Sequence, residues 1–340
     1  MLMRVLVTGG TGFIGMHTCH ALLAAGHTLR LYVRNRDKAR ALFGGRVRSV
    51  VVGDITDRGA MKKALRGCDA AIHLAAMVST GKEDAARVHD TNVAAAENVL
   101  GQAAEAGCSR IIHVSSITAI YNPKAKKLDH DSPPGTAQHN AYGKSKVACE
   151  KFARGLQDAG APLHITYPAS VIGPDSPNLT EPHQGIIANL YGVGLNMPSG
   201  NQYVDVRDVA EAHRRLLTRR LRPGRYPLGG HYVSWKDLYA TLERLTGRDM
   251  LMLPVPGATM RLLGRTLDAL KPMVETGTPI NREAMQYATR WVKLDNSRAE
   301  RDLRLKFRPV EESLVETIRW LERENYITRG QAGLLSRHQT

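Results

Sequence analysis

The sequence RVLVTGGTGFIG, residues Arg4–Gly15, joins an apolar run of strand character to a glycine-rich turn. The alanine- and leucine-rich stretch from Met16 to Ala25 follows, and it predicts a helix that stops at Gly26. A strand, a glycine turn and a helix in this order are typical of the phosphate-binding opening of a dinucleotide-binding unit. The first expectation for this chain is therefore a nucleotide-binding α/β domain.

Each glycine of this opening has an expected task. Gly9 permits the tight turn, Gly12 lets the backbone approach a pyrophosphate, and Gly15 lets the helix pack against the strand. The N-terminus of the helix offers unpaired N–H groups and a partial positive charge to the phosphates. Glycines at this spacing also occur in ordinary strand-to-helix connections, so the flanking strand and helix are what make nucleotide binding the favoured interpretation.

A second pattern, near the middle of the chain, predicts a proton-transfer site. Tyr142 and Lys146 are four residues apart in a stretch of helical composition, so they share one helix face. That stretch follows an apolar strand, Arg110 to Val114, which ends in Ser115-Ser116. A phenol with a pKa of about 10 is a poor base at neutral pH, and a nearby ammonium stabilises its phenolate. A solvated helix face would give the same spacing; the preceding strand, its serines and the glycine turn favour the functional interpretation.

With these motifs in place, the chain resembles the extended short-chain dehydrogenase/reductase family, clearly over about residues 1–220 and more loosely beyond. The segment TGGTGFIG from Thr8 matches the T-G-x-x-G-x-x-G of the extended group. Other segments similar to the family are HLAA at 73–76, Asn92, VDVRDVA at 204–210, and the stretch from Lys293 to Leu321. The resemblance implies a Rossmann-type, doubly wound parallel sheet with a smaller C-terminal substrate lobe.

The resemblance also implies a domain division and a set of cofactor-binding residues. Residues 1–172 would form the nucleotide-binding domain, with 203–220 returning to it, and 173–340 would mainly form the substrate lobe. The implied cofactor-binding residues are Thr8, Gly9, Gly12, Phe13, Ile14, Gly15, Arg34, Asp54, Ile55, Leu74, Ala75, Ala76, Tyr142, Lys146, Tyr167 and Val171.

For catalysis, the resemblance implies that Ser116 hydrogen-bonds the substrate oxygen, Tyr142 exchanges a proton with it, and Lys146 lowers the tyrosine pKa and binds the nicotinamide ribose. Asn92 would either hold a water in the proton path or simply cap the start of a helix. An alternative alignment places Ile117 at the usual serine position, in which case Thr118 would substitute. Apolar Met77 and Val78, with the loop from Pro174 to Leu195, are expected to line a pocket for a small-molecule substrate.

The end of the second predicted strand favours NADP(H) over NAD(H). An acidic residue there would accept hydrogen bonds from the adenosine ribose, whereas here Tyr32-Val33 is followed by Arg34-Asn35-Arg36. A guanidinium can grip a 2′-phosphate with two hydrogen bonds, and Arg34 is the better placed, with Arg36 or Lys38 assisting. Two surface arginines of a basic protein would give the same sequence, so NAD(H) stays possible.

Departures from other branches of the family favour a reductase similar to dihydroflavonol 4-reductases and 3β-hydroxysteroid dehydrogenases. Ser116 is followed by Ile117-Thr118 in place of the acid pair of the dehydratases, and Tyr167–Pro174 lacks the R-Y-F-N-like stretch of the epimerases. The expected activity is reduction of a carbonyl, or oxidation of a secondary alcohol, on a hydrophobic small molecule. A sugar-nucleotide epimerase that retains NAD is one alternative, and a catalytically idle NADPH-binding regulator is the other.

Bulk composition is that of a globular enzyme: 340 residues, 43% hydrophobic and 23% charged. The four cysteines, 19, 68, 108 and 149, are scattered, which predicts free thiols in a reducing cytoplasm and no metal site. The first strand begins almost at once, so we expect no signal peptide, and no apolar run of 18 residues predicts a membrane span. A monomer or a homodimer is expected.

The net charge of +15 raises the question of an anionic partner. The basic residues are spread along the chain without the interleaved aromatics of a single-strand-binding groove, so no nucleic-acid binding is expected. The stretch from Met260 to Val274 is amphipathic and basic. A lid helix over the substrate pocket is the favoured interpretation, and contact with a membrane surface is the alternative.

Strand and helix patterns alternate through the first half, which predicts a parallel sheet covered on both faces. The predicted strands are Val5–Thr8, Leu29–Val33, Val47–Val52, Ala70–Leu74, Ile111–Val114 and Leu163–Tyr167. The predicted helices between them include Asp57–Arg66, Asp84–Ala106 and Ala141–Ala159. Prolines and glycines become frequent from Gly173 on, which indicates loops around a short helix.

Overall fold

A computed structural model of the protein describes residues 2–78, 85–136, 138–270 and 282–336. The strands of this described part are β1 (Arg4–Thr8), β2 (Thr28–Val33), β3 (Ser49–Val52), β4 (Ala70–His73), β5 (Arg110–Val114), β6 (Leu163–Pro168), β7 (Ser170–Ile172), β8 (Val193–Asn196), β9 (Gly200–Asp205), β10 (Arg225–Leu228), β11 (His231–Ser234) and β12 (Leu251–Pro254).

The helices are α1 (Phe13–Ala24), α2 (Arg36–Phe43), α3 (Arg58–Leu65), α4 (Ala85–Glu105), α5 (Ala141–Asp158), α6 (Glu181–Asn189), α7 (Val206–Thr218), α8 (Trp235–Thr246), α9 (Gly257–Leu270), α10 (Arg282–Thr289), α11 (Ser297–Leu303), α12 (Val310–Arg323) and α13 (Arg329–Ala332). Short 3-10 helices cover Gly44–Arg46, Ile117–Ile120 and Gly333–Leu335.

The central element is a seven-stranded sheet in the order β10-β6-β5-β4-β1-β2-β3, in which every neighbouring pair is parallel. This confirms the predicted doubly wound α/β fold, because the chain starts at the middle strand and builds outward on both sides. All seven strands end at the same edge of the sheet. Loops that follow β1, β2, β4 and β5 therefore meet along one line, where such sheets bind ligands.

Both faces of the sheet are covered by helices, which explains the near-continuous apolar strands. One core packs α1, α7 and α11 against one face, and the other packs α3, α4 and α5 against the opposite face. Strand β4 shows the result, since all four of its residues are buried. Alternate residues of β1 enter different cores: Val5 and Val7 one, Leu6 the other.

A smaller lobe surrounds a third core, built by α6, α8, α12 and the C-terminal turn. Its strands form a three-stranded sheet, β11-β9-β7, and a two-stranded ribbon, β12-β8. The predicted short helix after Gly173 is α6. This lobe faces the carboxyl edge of the main sheet because β7 follows β6 after the single residue Ala169.

The segment 203–220 returns to the main sheet only through its helix. Helix α7 packs on α1, whereas β9 pairs with β7 and β11 in the small sheet. The strand that completes the main sheet is β10, which lies beside β6. Of the segment 203–220, the helix thus adjoins the main sheet and the strand belongs to the small one, while the division of the chain into two domains stays a prediction.

The predicted bounds differ from the structure mainly at element starts. Helix α1 begins at Phe13, earlier than Met16, because Gly12 is its N-cap and the backbone N–H of Met16 already donates to the Gly12 carbonyl. The predicted start of the fourth helix, Asp84, lies outside the described residues, as do residues 271–274 of the amphipathic stretch that becomes α9.

Candidate active site

The glycine turn after β1 has the geometry that the sequence predicted. Gly9 has a φ of +72°, and a Cβ there would lie 2.5 Å from the backbone nitrogen of Ala75. A Cβ at Gly15 would collide with the carbonyl of Gly9, so the helix packs directly on the turn. Gly9 is thus required for two reasons, a left-handed backbone and the close passage of the segment after β4. The second reason could not be foreseen from the sequence.

Thr8 lies beneath this turn and away from the cavity. It is fully buried, and its hydroxyl pairs with Nδ1 of His73 at 2.8 Å. Burial, and then the charge of Lys146, lowers the pKa of His73 to about 3, so this imidazole is neutral. The side chain of Thr8 therefore ties β1 to β4, and the prediction that it contacts a cofactor is not supported.

The segment after β4 passes beside the turn, as expected. Leu74 and Ala76 line the cavity, and Ala75 closes against Gly9. Both backbone groups of Met77 bond to the side chain of Asn92: its N–H donates at 2.7 Å and its carbonyl accepts at 3.0 Å. Asn92 therefore fixes this segment through two backbone hydrogen bonds.

Asn92 does not open a helix; it lies well inside α4, and the capping interpretation was wrong. Its amide also donates to the hydroxyl of Ser145 at 3.0 Å, and its backbone carbonyl accepts from the thiol of Cys149. The residue thus connects α4, α5 and the segment after β4. The proposed role in a proton path stays a prediction.

The two serines after β5 point in different directions. Ser115 Oγ donates to the buried carboxylate of Glu150 at 3.0 Å. Ser116 lines the cavity, and its Oγ accepts from the N–H of Thr118 at 3.2 Å. Thr118 also lines the cavity, and its side chain is hydrogen-bonded to the phenol of Tyr287. Both candidates for the catalytic hydroxyl are therefore at the site. Ser116 acts only as an acceptor in its bond with the Thr118 N–H, so its own hydroxyl proton can be donated elsewhere.

Tyr142 and Lys146 lie on the first turns of α5 and both line the cavity. Asn140 caps this helix by accepting from the N–H of Gly143 at 2.7 Å. The Lys146 ammonium is buried, 5.6 Å from the centre of the Tyr142 ring, and donates to the carbonyl of Val114 at 3.4 Å. The four-residue spacing thus places the ammonium beside the phenol and against the end of β5.

Tyr167, like Thr8, lies away from the cavity with its side chain buried in polar contacts. Its ring is fully buried on the α5 side of β6, where its hydroxyl donates to Glu150 at 2.6 Å. Arg154 binds the same carboxylate at 2.7 Å. Side chains alternate along a strand, so the next residue of β6, Pro168, points to the cavity instead. Ala169, Ser170 and Val171, which follow it, line the cavity too.

Arg34, Asp54 and Ile55 follow β2 and β3, farther along the same edge. Arg34 is exposed. Hydrogen bonds from Thr56, and then the charge of Arg34, lower the pKa of Asp54. The carbonyl of Ile55 accepts from Asn98 at 2.7 Å, so this loop is held to α4. The arginine and the carboxylate are close enough to interact, at the end of the sheet away from Tyr142.

A cavity of about 1070 Å³ joins the glycine turn to the Ser116–Tyr142–Lys146 group and continues into the smaller lobe. Of the predicted lining residues, Val78 and part of the loop from Pro174 to Leu195 contribute, whereas Met77 does not. The cavity-lining residues from the nucleotide side are Gly9, Gly12, Phe13, Ile14, Gly15, Leu74, Ala76, Val78, Val114, Ser115, Ser116, Ile117, Thr118, Tyr142 and Lys146.

Sequence reasoning missed the wall contributed by α10. Tyr287 of α10 and Trp291, just after it, line the cavity, and the Tyr287 ring packs on Tyr121 at a tilt of 43°, with centroids 4.3 Å apart. The Tyr121 hydroxyl donates to the carbonyl of Arg290 at 2.7 Å, and the Glu283 carboxylate accepts from the N–H of Asn140 at 3.0 Å. Two aromatics four residues apart in an otherwise polar stretch were the available signal.

The cysteines, the length and apolarity of the helices, and the grouping of potential metal ligands are three further points that the sequence analysis raised. The four cysteines are free and buried, and burial raises the pKa of Cys108 and of Cys149 to about 11. Within residues 2–78, 85–136, 138–270 and 282–336, no helix is long and apolar enough to cross a membrane. The same residues contain no group of three or more His, Cys, Asp or Glu side chains placed to hold a metal ion.

Comparison with known proteins agrees with this architecture. Cinnamoyl-CoA reductase 1 of Petunia hybrida is 28% identical over 95% of this chain and 93% of its own length. UDP-glucose 4-epimerase 4 of Oryza sativa subsp. japonica is 27% identical over 72% of this chain and 77% of its own length. The crystal structure of gox2253 superposes with a TM-score of 0.81, at 25% identity, covering 96% of this chain and 99% of its own.

A family model described as NAD dependent epimerase/dehydratase family matches residues 5–229, which include the glycine turn, Tyr142 and Lys146. Its relatives comprise both reductases and epimerases. The chain therefore belongs to the NAD dependent epimerase/dehydratase family and is an NAD(P)-dependent enzyme of the extended short-chain dehydrogenase/reductase type.

Proposed function

We propose that this enzyme reduces a carbonyl group, or oxidises a secondary alcohol, on an uncharged apolar small molecule with NADP(H). The observation that carries the proposal is the charge of the cavity wall. Among the described lining residues, Lys146 is the only cation and Glu181 the only anion, although the chain has a net charge of +15. Sugar nucleotides and CoA thioesters carry phosphates, which proteins commonly hold with arginine or lysine.

The substrate end of the cavity is instead aromatic and aliphatic. Tyr203, Trp235, Tyr287 and Trp291 contribute rings, and Ala284 and Ala288 leave room between them. These rings favour burial of apolar surface. The same part of the wall also has uncharged polar side chains that can orient a carbonyl or hydroxyl group, namely Ser170, Asn178, Thr180, Gln184, Asn189 and Asn201. Its chemistry suits a hydrophobic carbonyl compound better than the substrates named for the epimerase relatives.

The carboxyl edge of the sheet fits a dinucleotide. A Cβ at Gly12 would meet only the Gly9 carbonyl, at 3.4 Å, so the outer face of the turn accepts a close ligand. No side chain caps α1, whose first N–H groups are available to phosphate. We assign the adenosine end to Arg34 and Asp54, beside β2 and β3, and the nicotinamide end to Tyr142 and Lys146. When bound, the nicotinamide supplies or accepts a hydride.

Side chains of the protein then supply the proton and stabilise the charge left on its donor. Tyr142 gives the proton of its hydroxyl to the substrate oxygen as that oxygen gains charge. Lys146, held by the Val114 carbonyl, stabilises the resulting phenolate. We assign the second hydrogen bond to Ser116, because its Oγ accepts from the N–H of Thr118 while its own proton can point to the substrate. Thr118 is the weaker candidate, since its side chain is bonded to Tyr287.

Two other functions compete with this proposal. An epimerase that retains NAD is supported by the epimerase relatives and opposed by the cavity wall and by Arg34. An idle NADPH-binding regulator is opposed by the retained pair of Tyr142 and Lys146. Each predicts a different fate of the cofactor, so one assay separates all three.

The test is to screen aldehydes, ketones, flavonoids and steroids with NADPH, and to repeat the screen with Tyr142→Phe. The native enzyme should oxidise NADPH in step with product, and Tyr142→Phe should lower kcat by about 10²–10⁴-fold with nearly unchanged NADPH affinity, because only the proton donor is lost. Tyr191→Phe, at an exposed tyrosine outside the described cavity wall, is the matched control.

The alternatives have their own signatures in this assay. Stoichiometric NAD in the denatured protein, with product formed and no net oxidation, would replace the reductase proposal by the epimerase. NADPH binding without turnover of any compound would favour the regulator. Retained activity in Tyr142→Phe would refute the assigned proton donor.

A further inference from the structure

The two-stranded ribbon of the smaller lobe presents an apolar face to solvent. In the parallel pair of β8 and β12, Val193 lies opposite Leu251 and Leu195 opposite Leu253. These side chains share one side of the ribbon, and Val193 is 53% and Leu251 59% exposed. The other side is packed, since a Cβ at Gly194 would enter the ring of Tyr239. Large apolar residues on an outward sheet face are unusual unless something covers them.

Helix α9 begins after the two residues that follow the ribbon, and it also exposes apolar side chains. Its inward residues are Gly257, Met260 and Gly264, which are buried. Leu262, 65% exposed, and Leu263, 41% exposed, point outward and lie between Arg261 and Arg265 in the sequence RLLGR. Within the described residues, the exposed leucines of α9 are therefore not accounted for by packing.

Helix α9 carries Arg261 and Arg265, and the helix packed on it, α10, begins with Arg282. Burial, and then Arg282, Lys144 and Arg265, lowers the pKa of His139, whereas Asp268 raises it. Burial, and then the charges of Arg290 and Arg265, lowers the pKa of Arg261. The nearby acids are Asp268, which accepts from the N–H of Arg282, and Glu283, which is engaged by the start of α5. The surroundings of the exposed leucines are therefore mainly basic.

We propose that the exposed apolar face of the smaller lobe, formed by Leu262 and Leu263 of α9 with Val193, Leu251 and Leu253 of the ribbon, docks on the surface of an anionic lipid bilayer. The leucines would enter the boundary of the acyl chains, and Arg261 and Arg265 would lie among the headgroups. The net charge of +15 supports a lipid surface over a second copy of the chain, because two such copies repel each other.

The position of the face relative to the substrate cavity indicates what docking would achieve. Helix α9 packs on α10, and the Arg261 guanidinium donates to Thr289 at 2.9 Å. Helix α10 in turn lines the cavity with Tyr287. A bilayer at this face would lie next to the wall of the substrate cavity, where apolar compounds dissolved in lipid could be collected. The docking itself does not depend on the proposed reaction.

The test is sedimentation of the full chain with vesicles of phosphatidylcholine alone, or of equal parts phosphatidylcholine and phosphatidylglycerol. The native protein should bind the anionic vesicles at least about tenfold more tightly at low salt, and added salt should weaken this binding. The double variant Leu262→Ser/Leu263→Ser should lose at least about tenfold in affinity for the anionic vesicles. Leu2→Ser, at a 70% exposed leucine of the nucleotide-binding half, is the matched control.

Three results would overturn the proposal: no binding to the anionic vesicles, equal binding by the double variant, or a native dimer that the double variant converts to a monomer. The last would assign the face to a second copy. Turnover of a water-soluble carbonyl without vesicles, measured on the same preparations, should be unchanged in the double variant. A failure of the reductase proposal would therefore appear separately from a failure of lipid docking.

Discussion

Arg34 shows how much of the expected cofactor choice depends on one side chain. It is exposed at the end of β2, and its charge contributes to the lowered pKa of Asp54 after β3. Arg36, two residues on, is tied to the neighbouring strand because its guanidinium donates to the carbonyl of Val50 at 3.3 Å. Of the two arginines named from the sequence, we therefore propose Arg34 as the one that meets a 2′-phosphate.

We predict that Arg34→Ala weakens NADPH binding by about ten- to a hundred-fold and leaves NADH binding nearly unchanged. A charge-assisted, two-pronged contact with the 2′-phosphate is worth about 1.5–3 kcal/mol, and NADH lacks that phosphate. Fluorescence titration of both cofactors measures the two affinities. Arg36→Ala is the matched control and should change NADPH affinity less. Equal affinity of the native protein for NADPH and NADH would contradict the prediction.

Helix α5 carries the proposed catalytic pair, Tyr142 and Lys146, on its first turns and a buried ionic cluster farther along. The Glu150 carboxylate is fully buried and accepts from Ser115, Arg154 and the hydroxyl of Tyr167. These bonds hold α5 to the ends of β5 and β6. The bond from Ser115 also holds the loop after β5, in which Ser116 lines the cavity, so the cluster fixes this loop as well as the helix.

We predict that Glu150→Leu lowers the free energy of unfolding by about 3–5 kcal/mol, because it leaves the Arg154 guanidinium without its buried partner. Glu150→Gln should lose less, since the amide oxygen still accepts hydrogen bonds. Urea unfolding of both variants measures the change, with Glu97→Gln, at an exposed glutamate of α4, as the control. A loss below about 1 kcal/mol in Glu150→Leu would show that the cluster contributes little to stability.

At the scale of the whole molecule, several histidines are buried in their neutral form, so the free energy of unfolding decreases at acidic pH. Burial lowers the pKa of His73 and His213 to about 3 and that of His164 and His183 to about 4. In the unfolded chain these groups have a pKa of about 6.5, so the unfolded state binds more protons below that value. Stability is therefore complete above about pH 6.5 and falls as the pH drops toward 4.

We predict cooperative unfolding between about pH 6 and 4.5, because each such histidine costs about 2 kcal/mol at pH 5 and total stabilities are only about 5–15 kcal/mol. Urea unfolding across this pH range measures the slope of stability against pH. His213→Gln should reduce the slope by up to about 1.4 kcal/mol per pH unit, whereas His231→Gln, at an exposed site, should not. An unchanged slope in His213→Gln would refute the role of buried histidines.

The sequence by itself determined the features that rest on local periodicity and spacing. The strand, glycine turn and helix from Arg4 to Ala24, the six parallel strands of the first half, and the shared face of Tyr142 and Lys146 all depend on residues close together in the chain. Local backbone rules and the alternation of apolar residues are enough to define such features.

Only the tertiary structure decided which side chains reach the cavity. Thr8 and Tyr167 turn into buried polar contacts with His73 and Glu150, because the pleat of a strand alternates its side chains between two faces. Tyr287 reaches the same cavity from far along the chain, through packing against Tyr121 that no local pattern specifies. Contacts between residues distant in sequence depend on how helices and sheets pack, and that information is spread over the whole chain.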